Sequence, residues 1–248
     1  MPSASPAAWS PAIVGTAGWT IPVGDREAFP AEGTSLERYS ARLHGAEINS
    51  SFHRRHRPAT WANWARSVPA GFRFAVKLPK EISHQRKLVD CGEILKAFLD
   101  ETGALGDKLA ILLLQLPPKL AFAPEVATPF LTMLTRSTNA RIVCEPRHPS
   151  WFEPEPDALL DSLGIARVAA DPAPIEAASF PGGWRGLSYW RLHGSPHMYR
   201  SPYGPERLAQ YANLLQAERA QGRPVWCIFD NTASSAAMGD ALILRAQL

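Results

Sequence analysis

Short apolar runs alternate with amphipathic stretches along nearly the whole chain. The runs that read as strands span residues 12–19, 46–52, 73–79, 109–117, 141–147, 165–171, 187–194 and 224–231. Several, above all 109–114, are almost continuously apolar, as expected of strands covered on both faces. The stretches between them place apolar residues three and four apart, the spacing of one helix face. They predict helices over 36–43 (capped by Ser35), 59–68, 91–105, 124–134, 155–163, 205–221 and 236–247. The segment after Asp171 is rich in Pro and Gly and predicts a loop or a broken helix, so the sixth unit is expected to be irregular. Strand-then-helix alternation implies a parallel sheet with right-handed crossovers. Eight such units close naturally into a TIM-type (β/α)8 barrel, and 248 residues is a typical length for one. The rival is a doubly wound open sheet, but no Gly-x-Gly-x-x-Gly follows the first strand. No break in composition divides the chain, which predicts one domain over 1–248, with 1–11 a loose tail rich in Ser, Pro and Ala.

Composition narrows the picture modestly. With 46% hydrophobic residues the chain can bury a core without disulfides or metal. Its three cysteines, Cys91, Cys144 and Cys227, have no regular spacing and form no disulfide framework or zinc signature. The first residues lack the basic-then-apolar order of a signal peptide, and no apolar run approaches the length of a membrane span. Reduced cysteines and the missing signal point to the cytoplasm. A net charge of +3 is too small to name a partner by itself, so the placement of the charges decides.

That placement is uneven. Polar and charged residues gather where the runs end: Glu47, Asn49 and Ser51; Lys77; Gln115; Glu145, Arg147 and His148; Asp171; Arg191 and His193; Asp230 and Asn231. In a (β/α) barrel these are the positions that surround the active site. Alternation puts Glu47, Asn49 and Ser51 on one face and Ile48 and Phe52 on the other, and sets Arg191 and His193 against Trp190 and Leu192. A buried charge needs a partner or a ligand. One reading is therefore a closed ion network in which Glu47, Glu145, Lys77, Arg147 and Arg191 neutralise one another. The other is a ligand pocket, favoured when so many polar groups converge at one face. In the pocket reading Arg147, Arg191 and Lys77 hold an anionic group, and Glu47 or Glu145 acts as general acid or base. His193 and Asn231 orient the substrate, while Trp19, Asn49, Gln115, His148, Asp171, Asp230 and the backbone of Gly194 complete the lining. Lys77 is also a candidate for a Schiff base, although a lysine beside carboxylates ordinarily stays protonated and unreactive.

Several segments resemble the signatures of one known family. They are Val14-Gly15-Thr16-Ala17-Gly18-Trp19, Glu47-Ile48-Asn49-Ser50-Ser51-Phe52, Phe72-Arg73-Phe74-Ala75-Val76-Lys77-Leu78-Pro79 with Ile82-Ser83-His84, and Leu114-Gln115-Leu116-Pro117-Pro118. Glu145-Pro146-Arg147-His148-Pro149-Ser150-Trp151-Phe152, Arg191-Leu192-His193-Gly194 and Phe229-Asp230-Asn231 complete the set. In order and spacing they resemble the YecE-like family, domain of unknown function 72. The resemblance implies a TIM-type barrel and brings no defined reaction with it. The chain departs from the family pattern at His53, at Pro146 and at Asp240, where the family carries Tyr, Phe or Trp, and Asn.

The loops around these strand ends are basic: His53-Arg54-Arg55-His56-Arg57, then Lys80, His84, Arg86 and Lys87, then His197, Tyr199, Arg200 and Tyr203. Such a rim attracts phosphates or a nucleic-acid backbone, and Trp19, Phe52, Trp151, Tyr199 and Tyr203 offer stacking surfaces. The same loops also read simply as a solvated charged surface. Trp61, Trp64 and Trp226 fall at core spacing. No Walker loop, nucleophile elbow or other cofactor motif occurs, so no cofactor is expected. Three functions remain open. The first is an enzyme or sensor for a small phosphate- or carboxylate-bearing molecule, acting as a hydrolase or lyase if it is an enzyme. The second is a divalent-metal phosphodiesterase or nuclease using Glu47, Glu145, Asp171, His193 and Asp230. The third is a non-enzymatic nucleic-acid-binding module.

Overall fold

The computed structural model describes residues 12–248; the tail expected over 1–11 lies outside the described residues. The apolar runs form strands β1 (Ala12–Thr16), β2 (Gly45–Ile48), β3 (Arg73–Lys77), β4 (Leu109–Gln115), β5 (Arg141–Glu145), β6 (Ile165–Arg167), β7 (Ala169–Asp171), β8 (Gly182–Gly183), β9 (Ser188–Leu192) and β10 (Val225–Phe229). The amphipathic stretches form helices α1 (Ser35–Ser40), α2 (Ser50–His53), α3 (Pro58–Arg66), α4 (Gly92–Thr102), α5 (Pro124–Arg136), α6 (Pro154–Ser162), α7 (Pro205–Ala220) and α8 (Ala236–Arg245). Proline opens α3, α5, α6 and α7, where its missing N–H costs nothing. The cap of α1 is Thr34 and not Ser35. Thr34 and Glu37 bond each other's backbone N–H in a capping box, while the Ser35 hydroxyl donates to the Trp19 carbonyl at 2.9 Å.

The strands make an α/β fold of two sheets. One has the order β1-β10-β9-β7 and is parallel throughout; the other runs β2-β3-β4-β5-β6-β8, parallel except for the short β6–β8 pair. The sheets meet twice. Beyond the end of β1, Ala17 bridges Glu47 and the Gly18 N–H donates to the Glu47 carbonyl at 2.8 Å. The approach there is close: a Cβ on Gly15 would lie 2.1 Å from the Gly45 carbonyl oxygen, so no side chain fits. On the other side, only Val168 separates β6 from β7. Its N–H still donates to Cys144 of β5, whereas β7 pairs with β9. The single strand expected over 165–171 is thus two, one in each sheet.

The strand expected over 46–52 also stops early, at Ile48. Asn49 takes helical backbone angles, and the Ser51 hydroxyl donates to the Ile48 carbonyl at 2.9 Å and to the Lys77 carbonyl at 2.7 Å. Serine hydroxyls that satisfy nearby carbonyls favour such turns over a continued ladder. Asn49 and Ser51 consequently do not share a strand face with Glu47.

Both faces of the strands are buried, in two separate cores. Val14, Ile48, Phe74, Val76, Leu112, Leu114, Ile142, Cys144, Trp190, Leu192 and Cys227 pack against the helices. The alternate residues Ile13, Ala75, Ile111, Leu113, Val143, Tyr189, Trp226 and Ile228 pack against one another between the sheets. This explains why the runs are nearly continuously apolar until their last residues. Trp61 and Trp226 are fully buried. Among the described residues no helix is long and apolar enough to cross a membrane.

Candidate functional site

The inner face of the strands turns from apolar to charged at their C-terminal ends. Glu47, Glu145 and Arg191 lie there, and His193 and Asp230 follow one turn of the pleat later. All are buried except for a sliver of Asp230. Arg191 organises the group, making four hydrogen bonds to three carboxylates. Its Nε donates to Glu47 Oε2 at 3.0 Å, one terminal nitrogen donates to Glu47 Oε1 at 2.7 Å and to Asp230 Oδ2 at 3.1 Å, and the other donates to Glu145. His193 stands between acids, Nδ1 3.0 Å from Asp230 and Nε2 3.0 Å from Glu145. Arg147 donates to Glu145 and lies 2.7 Å from His193 Nε2.

Electrostatics follow from this packing. Burial alone would raise the Glu145 pKa, but Arg147, Arg191 and His193 outweigh it and hold the carboxyl well below its usual range. Asp230 is lowered in the same way, with Arg191, His193 and Lys77 overcoming burial. Burial also opposes the charge on Arg191, yet its three carboxylate partners raise its pKa further.

Of the ion network weighed from the sequence, Glu47, Glu145, Arg147 and Arg191 do pair with one another, Asp230 joins them, and Lys77 forms no ion pair among the described residues. Two assignments change with it. Arg191 is engaged by carboxylates and is buried, so it does not reach out to a ligand anion. Both oxygens of Glu47 and of Glu145 accept hydrogen bonds from neighbouring side chains, and both groups are buried, so neither carboxylate faces open solvent in this arrangement.

Lys77 is different. It is half-buried at the end of β3, with its ammonium nitrogen 4.1 Å from the centre of the Phe52 ring. Among the described residues no carboxylate forms an ion pair with it. Burial, and then Arg191, lower its pKa from 10.5 to about 8, against the opposing pull of Glu145, Glu47 and Asp230.

Other expected members sit at the periphery. Asn49 reaches Asp230 Oδ1 at 3.4 Å, and its own Oδ1 is buried without a partner. Gln115 is beside Glu145 in register but donates to the Leu116 carbonyl. His148 caps a 3-10 turn over Pro149–Phe152 and bonds Ser150. Asp171 pairs with Arg207 at 2.7 Å. Asn231 is tied to Ser201 and to Asp240 on α8. Gly194 has φ +94°, and its N–H donates to the Tyr203 hydroxyl at 2.9 Å, which leaves it nothing for an anion. Trp19 packs edge-on against Trp64 and Phe74. Trp151 and Tyr203 are buried and offer no stacking face, whereas Phe52 and Tyr199 remain partly open. A cavity of about 290 Å³ lies at the ends of β1 and β10, lined by Thr16, Thr20, Thr232 and Ser235 among others and by no member of the charged cluster.

Two contributors were not singled out from the sequence. The Tyr189 hydroxyl donates to Glu47 Oε2 at 2.8 Å. It lies two residues before Arg191, and the same alternation that selected Arg191 and His193 points to it. Arg207 sits on α7, and no strand pattern announces it. The five residues considered as a metal set do not assemble as one. Glu47 faces Arg191, Asp171 faces Arg207, and among the described residues no cluster of three or more His, Cys, Asp or Glu is arranged to hold a metal ion. In the basic loop His53, Arg54, Arg55 and Arg57 are exposed, but Arg55 pairs with Glu101, and His56 packs on Trp61 and Trp64.

Comparison with known proteins gives a consistent result. Residues 13–248 match the family model described as "Protein of unknown function DUF72". Over 153 residues the chain is 31% identical to the UPF0759 protein YecE of Escherichia coli K12, a stretch of 58% of this chain and 55% of that protein. The match thus spans about half the length of that curated relative. A crystal structure of a DUF72 family protein from Enterococcus faecalis V583 superposes with a TM-score of 0.79 at 19% identity, covering 96% of this chain and 95% of that one. One from Thermotoga maritima MSB8 gives 0.76 at 22% identity, covering 95% and 98%. At these identities the structures speak for the fold alone.

Proposed function

The chain belongs to the DUF72 family, and we propose that its two sheets act as one (β/α)8-type ring whose C-terminal mouth binds or processes a small phosphate- or carboxylate-bearing molecule. Two features support the ring: the Ala17–Glu47 bridge on one side and the one-residue passage from β6 to β7 on the other. The ligand reading rests on one observation, that the charged cluster is not closed. Every nitrogen of Arg191 is bonded to a carboxylate, but among the described residues Lys77 has no acidic partner, and the Arg147 side chain is 12% exposed with a buried Nε that lacks an acceptor. A purely structural network gains nothing from leaving two cations under-used. An anion arriving at the mouth meets both.

In this reading Glu47, Tyr189, Asp230 and Arg191 are the frame. Glu145 holds Arg147 in place, and Arg147 and Lys77 face the ligand. The test is calorimetric titration of inorganic phosphate and of oxalate into the wild-type protein and Arg147→Ala, with thermal melting to confirm that the variant folds. Loss of a charge-assisted hydrogen bond is expected to weaken binding by about tenfold or more. Equal affinity in both proteins overturns the proposal.

A further inference from the structure

We propose that Lys77 is an imine-forming amine, which condenses with the aldehyde or ketone group of a carboxylate- or phosphate-bearing substrate. This rests on the anion-site reading above, because Arg147 supplies the anchor for the substrate's acid group.

From the sequence, carboxylates next to Lys77 argued for a protonated, unreactive ammonium. The structure removes that objection. Glu47, Glu145 and Asp230 are nearby but are spent on Arg191, Arg147 and His193. What touches the Lys77 nitrogen is the face of Phe52. The group therefore loses water without gaining an ion pair, and the positive charge of Arg191 also works against its protonation. A desolvated amine beside another cation is the arrangement that turns lysine into a nucleophile. Its pKa of about 8 agrees with the geometry.

A proton carrier stands on the same ring. His84 lies edge-on to Phe52 at 4.9 Å between ring centres, and its Nδ1 is 2.9 Å from the Ser83 hydroxyl. Burial, then the charge of Lys77, keep the pKa of His84 below the ordinary histidine value, which favours the neutral imidazole. The strand end thus presents a neutral-capable amine, a neutral-capable base and an apolar ring in one half-buried patch.

The chemistry balances without an oxidant. The Lys77 lone pair forms a bond to the carbonyl carbon, and the carbonyl π pair moves to oxygen, which takes up a proton as the nitrogen gives one up. His84 relays it. The resulting carbinolamine expels its hydroxyl as water, taking up the proton that the nitrogen gives up by way of His84, as the nitrogen lone pair closes the C=N bond. In sum, amine plus carbonyl gives imine plus water.

The test traps that bond. The full chain is incubated at about pH 7.5 with glyoxylate, and separately with propanal, in the presence of sodium cyanoborohydride, and the adducts are mapped by peptide mass. Lys77 is expected to react at least about tenfold faster than the exposed Lys80, Lys87, Lys96 and Lys119 of the same chain. This internal comparison needs no variant. The adduct should also form faster with glyoxylate than with propanal, should slow when inorganic phosphate is added, and should vanish in Lys77→Arg. Labelling of Lys77 no faster than of the surface lysines overturns the inference. If phosphate binding still depends on Arg147 in that case, the anion site stands without the imine. Fast trapping at Lys77 with no preference for glyoxylate and no effect of phosphate supports the amine and removes the anion site.

Discussion

Arg191 shows how much a single side chain decides here. Three carboxylates and a tyrosine hydroxyl would otherwise be buried against one another, and desolvated like charges are expensive. The linkage to pH follows. Glu145 and Asp230 ionise below their ordinary values of 4.5 and 3.8 in the folded protein. A carboxylate with a depressed folded pKa contributes stability that is complete above the unfolded value and lost as pH falls through the folded one. Stability against urea should therefore hold from neutrality down to about pH 5 and decline steadily below about pH 4.5. Glu145→Gln should cost about 3–5 kcal/mol at neutral pH, because it leaves Arg147 and Arg191 under-compensated, and should flatten the acid decline. An acid limb of unchanged steepness in the variant would show that Glu145 is not its source. At this scale the sequence was informative about membership and poor about roles. Alternation placed Glu47, Glu145, Arg147, Arg191 and His193 correctly, since strand parity is a local property. Which of them satisfy one another, and which are left for a ligand, depends on distances across the sheets that no local pattern contains.

Among the elements, the long apolar runs and the proline-opened helices were legible because burial on both faces and first-turn geometry leave direct marks on residue type. The misread stretches are those where one hydroxyl overrides the pattern. Ser51 bonds the Ile48 and Lys77 carbonyls and turns 49–53 into a helical turn, although the spacing of Ile48 and Phe52 in the sequence reads as strand. Thr34 takes the cap that Ser35 resembles. The seam between β1 and β2 leaves a fainter mark, a missing side chain, which marks Gly15 in the sequence as a close-packing position without naming what it packs against. Gly15 and Gly45 pack back to back: a Cβ on Gly45 would lie 2.4 Å from Ile13 Cγ2, as one on Gly15 would meet the Gly45 backbone. Backbone cannot move aside as a flexible side chain can, so Gly15→Ala must push β1 from β2. Overpacking of this kind costs about 1–3 kcal/mol or more. The urea midpoint of Gly15→Ala should fall accordingly. A midpoint within error of wild type would mean that the two strands separate freely, and that the seam is no joint.

That seam matters for the molecule as a whole, because one ring and two abutting sheets differ in how they unfold. In a ring, β1 and β2 on one side and the β6-to-β7 passage on the other tie every strand into one cooperative unit, and neither sheet can open without exposing the inner core they share. Two buried thiols report on this directly. Cys144 lies on β5 in the six-stranded sheet and Cys227 on β10 in the four-stranded one. Burial raises the pKa of both thiols, so neither reacts until its surroundings open. Labelling at rising urea, followed for each cysteine by peptide mass, gives the opening free energy site by site. If the sheets form one ring, Cys144 and Cys227 become reactive together, at the urea concentration where circular dichroism shows global unfolding. If Cys227 is labelled while Cys144 stays protected, or the reverse, the sheets open separately, and the ring is a matter of proximity alone. The strand-end cluster sharpens the expectation, because its ion pairs cross the divide. Glu47 and Glu145 come from one sheet, Arg191 from the other, and His193 and Asp230 follow strands of that second sheet. Prising the sheets apart therefore exposes apolar surface and strips Arg191 from Glu47 and Glu145 in the same step, which is why partial opening should cost nearly as much as complete unfolding.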